Sequence, residues 1–96
     1  MDKEQLESKI KEFLLELRIN EKTNKTIIEY NNELNKFVKW FTESDKKEIN
    51  KLILIDYKEY LFDSKYAINT KNKNIVVVNK FVKWLGYENI YLKKFK

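Results

Sequence analysis

The stretch Asn35-Lys36-Phe37-Val38-Lys39-Trp40-Phe41 returns as Asn79-Lys80-Phe81-Val82-Lys83-Trp84-Leu85, changed only at its last position. The offset of 44 residues also carries Thr26 onto Thr70 and Leu34 onto Val78. A period of that length accommodates a helix, a connection and part of another helix, so it points to two related helical units. Within each copy the Phe, the Val and the closing Phe or Leu stand at i, i+1 and i+4. That spacing draws one apolar stripe along a helix, with lysines between and opposite. Two copies are too few for a solenoid, which needs about three repeats to bury its faces. The better reading is two matching helix ends packed in one core.

Helix breakers are almost missing. The chain has no proline and a single glycine, Gly86, which favours an all-α fold. Ninety-six residues suit one domain, with 43% apolar side chains and fourteen aromatics to fill a core. A chain of this size buries about two-thirds of its unfolded surface. With no cysteine there is neither a disulfide framework nor thiolate chemistry, which fits a cytoplasmic protein. The start is charged and lacks a signal core, and no apolar run approaches the roughly 20 residues needed to cross a bilayer.

Apolar spacing at three and four predicts a first helix over about 3–19, carried by Leu6, Ile10, Phe13, Leu14 and Leu17, with Asp2 as N-cap. A second begins at Thr23, whose hydroxyl caps it, and shows Ile27, Tyr30, Leu34, Phe37, Val38 and Phe41 on one face. Trp40 falls off that line and is expected at the rim. The polar stretch 42–50 reads as the connection between two hairpins. The run Leu52-Ile53-Leu54-Ile55 has no partner strand and no hairpin turn, so it opens a third helix through Phe62 with Leu54, Tyr57 and Leu61 inward. A loop over 63–69 leads to a fourth helix from Thr70 to Leu85, capped by Asn69 or Thr70 and stopped by Gly86. Its Ile75-Val76-Val77-Val78 prefers a strand by propensity, yet Val78, Phe81, Val82 and Leu85 continue the helical spacing. Residues 87–96 form a basic-aromatic tail without a closing element.

Charge is uneven. Residues 64–96 carry eight lysines against Glu88 alone, a net +7, while residues 1–63 carry twelve bases and fourteen acids, a net −2. A basic third on a near-neutral remainder suits a polyanion. Lys22, Asn24, Lys25 and Thr26 crowd the start of the second helix, and Thr70, Lys71, Asn72, Lys73 and Asn74 the start of the fourth. Lysines at a helix N-terminus oppose the macrodipole, whereas with the free amides they would bind a phosphate. Biased base composition in a gene would also enrich Lys, Asn, Ile and Tyr, so charge by itself leaves both readings open.

Much chemistry is absent. There is no histidine and Arg18 is the only arginine, which removes hydrolytic triads and imidazole metal sites. One glycine cannot build a phosphate loop. Asp56 and Glu59 read as a solvated pair, and Trp40 and Trp84 as core or rim instead of a base-stacking platform. The chain reads as a binding module, with no cofactor or metal and no enzymatic activity of its own.

The ordered set Thr23-x-x-Thr26-Ile27-x-x-Tyr30-x-x-x-Leu34-x-x-Phe37, then Asp56-Tyr57-x-x-Tyr60-Leu61, then Thr70-x-Asn72-x-x-Ile75-x-x-Val78-x-x-Phe81-x-x-Trp84-Leu85 resembles the N-terminal core-binding domain of tyrosine recombinases, the phage integrase family. The match covers about residues 6–90. The resemblance implies an all-α, four-helix orthogonal bundle of two helical hairpins, SAM-like, over 1–90, with 91–96 starting a linker to a catalytic domain. It implies a clamp on double-stranded DNA at the recombination core site, shared with that domain of the same parent, and an isolated domain that is monomeric. The starts of the second and fourth helices would lie side by side near the major groove. Carried over, the candidates are Lys22, Asn24, Lys25, Thr26, Thr70, Lys71, Asn72, Lys73 and Asn74, with Lys80 further along. Ala67 departs from the family's small hydroxyl residue, which puts the start of the fourth helix in doubt. The catalytic arginines, histidine and tyrosine belong to the other domain, so the parent would cleave and rejoin DNA while this chain cannot. A helical protein-interaction module and a small free-standing DNA-binding regulator are the alternatives.

Overall fold

Four helices account for most of the chain: α1 (Lys3–Ile19), α2 (Asn24–Glu43), α3 (Lys51–Asp63) and α4 (Ile68–Trp84). The structure, a computed structural model, describes residues 1–45 and 48–96. Lys46 and Lys47, within the expected connection, lie outside the described residues. No strand occurs among the described residues, in keeping with the all-α expectation. The chain divides into two units, Met1–Lys47 with α1 and α2, and Glu48–Lys96 with α3 and α4.

In the first unit α1 opens on a capping box. The Gln5 amide donates to Asp2 Oδ1 at 2.8 Å, and the Asp2 amide donates to Gln5 Oε1 at 2.9 Å. Two orphan donors of the first turn are thereby satisfied. The helix closes with Lys22 N donating to Leu17 O and Glu21 N to Arg18 O, both at 3.0 Å. That Schellman pattern ordinarily takes a glycine, but here Glu21 adopts the left-handed conformation at φ 65°. Leu6, Ile10 and Phe13 are buried on α1, opposite Ile27, Leu34, Phe37, Val38 and Phe41 of α2. Thr23 caps α2 through its Oγ1, which accepts from Thr26 N at 3.2 Å. Trp40 is not at the rim: it is 7% exposed and stacks on Phe37 with ring centroids 6.1 Å apart. A ring that wide, one turn from a buried Phe, still reaches the core from the edge of the stripe. Glu33 is also buried and meets Lys36 Nζ at 3.2 Å.

In the second unit the apolar run after Asn50 is helical. Asn50 Oδ1 accepts from Ile53 N at 2.9 Å, and Leu54, Tyr57 and Leu61 are buried, whereas Leu52 and Ile55 are exposed. Helix α4 starts at Ile68, two residues before the expected Thr70, and its N-cap Ala67 supplies no side-chain bond. The Ala67 carbonyl nonetheless accepts from Lys71 N at 3.0 Å, so the first backbone bond closes without a polar cap. Burial of the helix stabilises this turn in place of a cap. The run Ile75–Val78 is helical against its propensity because Ile75, Val77 and Val78 all enter the core. At the far end Gly86 stands at φ 109°, Gly86 N donates to Lys83 O at 3.0 Å and Tyr87 N to Val82 O at 3.2 Å, a Schellman motif.

The repeat extends beyond the heptapeptide that reveals it. An offset of 44 carries the last residue of α1 onto the last of α3, the cap Thr23 onto Ala67, and the first residue of α2 onto the first of α4. Both copies of the heptapeptide stack Phe on Trp, at 6.1 Å for Phe37 with Trp40 and 6.1 Å for Phe81 with Trp84.

Candidate nucleic-acid interface

At the start of α2, Lys22, Asn24 and Lys25 are exposed, and the first turn holds no acid. Thr26 is half-buried. Its amide is taken by Thr23 Oγ1, and its own Oγ1 accepts from the Thr23 hydroxyl at 3.1 Å. The capping that builds the helix thus commits Thr26 and leaves its neighbours facing solvent.

Helix α4 carries Lys71, Lys73, Lys80 and Lys83 and no acid along its whole length. Lys73 and Lys80 are exposed and seven residues apart, which sets them on one face two turns apart. Thr70 is half-buried beside them. Ammonium groups placed this way suit a row of phosphates.

Three more candidates of this turn bond within the protein. Asn74 is 1% exposed, and its Oδ1 accepts from the Tyr57 hydroxyl at 2.5 Å inside the core. Lys71 Nζ donates to Phe62 O at 2.8 Å and lies 5.7 Å and 5.8 Å from the ring centroids of Phe62 and Phe95. Asn72 grips the tail: its Nδ2 donates to Phe95 O at 3.0 Å, and Phe95 N donates to its Oδ1 at 2.7 Å. Asn74 is therefore withdrawn from any surface, and the Lys71 and Asn72 side chains are held beneath residue 95.

Asn79 repeats the grip, a role the sequence reading overlooked. Its Nδ2 donates to Leu92 O at 2.9 Å, and Leu92 N donates to its Oδ1 at 2.9 Å. An amide offers one acceptor and donors side by side, so it pairs with an extended residue as a neighbouring strand would. The spacing fits as well. Seven helical residues rise about 10 Å, and the three-residue step from Leu92 to Phe95 spans about 10 Å in an extended chain. Two asparagines on one line of α4 thus hold an otherwise irregular tail, burying Leu92 and laying Phe95 against Phe62 at 6.0 Å between ring centroids. Lys58 Nζ stands 5.1 Å from the Phe95 ring centroid. In sequence the signal was the spacing of Asn72 and Asn79, but nothing local identifies their partners.

Neither tryptophan offers a bare ring. Trp40 is buried, and half-buried Trp84 is stacked on Phe81 at an interplanar angle of 17°. Among the described residues no cluster of acids is arranged to hold a metal ion, and no helix is long and apolar enough to cross a membrane.

Residues 10–89 match the family model described as phage integrase, N-terminal SAM-like domain. No curated protein and no solved structure matches the chain.

Proposed function

The chain belongs to the phage integrase family as an N-terminal SAM-like domain, and from that membership we propose that it grips duplex DNA at the recombination core site of a tyrosine recombinase. In this reading it forms one half of a clamp whose other half is the catalytic domain of the same parent, with residues 91–96 leading toward that domain. A SAM-like N-terminal domain of this family is not catalytic by itself. Cleavage and rejoining belong to the parent.

The observation that carries the reading is the acid-free α4, with Lys73 and Lys80 exposed on one face. In the other unit, Lys22 and Lys25 at the start of α2 are exposed cations, and Asn24 supplies an amide suited to a base edge. Thr26 and Thr70 are half-buried, so their part is to position backbone and not to reach far. If about five phosphates are neutralised, log affinity falls against log salt with a slope of about −4 to −5. A fluorescence titration of the 96-residue protein against duplex DNA at two salt concentrations measures that slope. Lys25→Glu with Lys73→Glu is expected to abolish binding and leave the circular dichroism spectrum intact. A salt-independent response, or full affinity in the double variant, would favour the protein-interaction alternative.

A further inference from the structure

The register of 44 relates two grooves, one on each helical pair. On α3, Ile55, Lys58, Glu59 and Phe62 line a groove of about 300 Å³, and the ring of Phe95 forms one of its walls. Their counterparts on α1, 44 residues earlier, are Lys11, Leu14, Leu15 and Arg18. Those four residues line a groove of about 400 Å³ in the first unit, closed on its other side by Ile27 and Ile28 of α2. Ile27 and Ile28 are in turn the counterparts of Lys71 and Asn72, which hold Phe95 in the second unit. The same places in the two helical pairs therefore form a concavity in each, walled by an aromatic ring of the tail in one and without such a ring in the other.

The open copy has its own chemistry. Leu15 is 58% exposed and Ile28 is 60% exposed, so the groove presents two apolar side chains to solvent. Lys11 and Arg18 are the only charged residues in the lining, and neither forms an ion pair among the described residues. Where the second unit sets Phe62 against the Phe95 ring, the first sets a guanidinium, which stacks on aromatic faces and pairs with carboxylates. The chain's own tail is a poor guest. Its residues 91–96 carry Lys93, Lys94 and Lys96 with no acid, and like charge at Lys11 and Arg18 repels them.

We propose that the α1/α2 groove docks an extended segment of a partner protein, with an aromatic side chain seated between Leu15 and Ile28 and flanking carboxylates paired to Lys11 and Arg18. The inference goes beyond DNA binding and does not depend on it. The groove selects for ring plus negative charge, since the apolar lining recognises the first and the two cations the second.

Fluorescence anisotropy of a labelled Asp-Glu-Phe-Asp-Leu peptide with the 96-residue protein tests this. Saturable binding is expected, weakened at least tenfold by Leu15→Glu, by Arg18→Glu, and by alanine in place of the peptide's phenylalanine. Leu15 and Arg18 are exposed, so both variants fold, as circular dichroism checks. Lys25→Glu, on the same helical pair outside the groove, is expected to bind the peptide as the parent protein does. The proposal is overturned if no saturable binding occurs or if a Lys-Lys-Phe-Lys-Leu peptide binds equally well. It is also overturned if Leu15→Glu leaves affinity unchanged, or if the groove instead mediates self-association that Leu15→Glu abolishes.

Discussion

Phe13 and Tyr57 occupy the same place in the two helical pairs, as do Tyr30 and Asn74, yet the pairs join them differently. In the first pair the two rings stack with centroids 6.3 Å apart. In the second a buried hydroxyl donates to a buried amide at 2.5 Å. A ring stack has a preferred but broad geometry and tolerates small shifts. A buried hydrogen bond fixes geometry and leaves a desolvated polar group behind if one partner goes. The same contrast recurs around it. Buried Glu33 has the buried Val77 as its counterpart, and exposed Ile28 has Asn72, which grips the tail. The groove of the second pair has the Phe95 ring in its wall, whereas the groove of the first has no such ring. A shared backbone register thus fixes where side chains fall without fixing what they do there.

The comparison can be broken at its shared core. Phe37 and Phe81 are both fully buried, so alanine at either should cost about 3–5 kcal/mol. Urea unfolding of Phe37→Ala and Phe81→Ala checks this, and a large gap between them would show that the two copies of the heptapeptide are not packed alike.

A smaller effect separates the two joints. Tyr57→Phe removes the hydroxyl that serves Asn74 and is expected to destabilise by about 1–3 kcal/mol. Phe13→Leu keeps an apolar side chain of similar volume and loses only the stack, for about 1 kcal/mol. Thermal unfolding of both variants orders them, and equal losses would erase the distinction between joint types.

The smallest expected effect concerns the caps. Thr23→Ala removes a side-chain cap from α2 and should cost about 1 kcal/mol, whereas Ala67→Thr gives α4 the cap it lacks and should stabilise by about as much. Calorimetry reads both shifts. An Ala67→Thr variant no more stable than the parent protein would mean that the extended backbone at that residue does not aim the new hydroxyl at the first turn.

Local signals were legible wherever a polar cap or an apolar stripe was present. Asp2 and Gly86 marked their helix ends, and the spacing of Leu54, Tyr57 and Leu61 chose helix over strand. Ala67 gave no such signal, because an alanine before Ile68-Asn69-Thr70 looks like more loop, and α4 began earlier than its polar turn suggested. Among the candidate residues, the letters alone made Asn72, Lys71 and Asn74 equivalent to Asn24 and Lys73. Asn74 stands four and seven residues before Val78 and Phe81, on the buried line of α4, and that spacing was the available sign that its amide turns inward. Trp40 was misplaced because a stripe drawn from Cβ directions underrates how far an indole reaches.

By itself the sequence determined four helices, because breakers are absent and apolar residues recur at helical spacing along each segment. It also determined the basic bias of the last third. Only the tertiary structure decided which amides and ammonium groups are spent internally. Those choices rest on bonds across 13, 17 and 23 residues of chain, from Asn79 to Leu92, Tyr57 to Asn74 and Asn72 to Phe95. Separations of that length are set by how helices and tail pack, and no periodicity within a single helix encodes them.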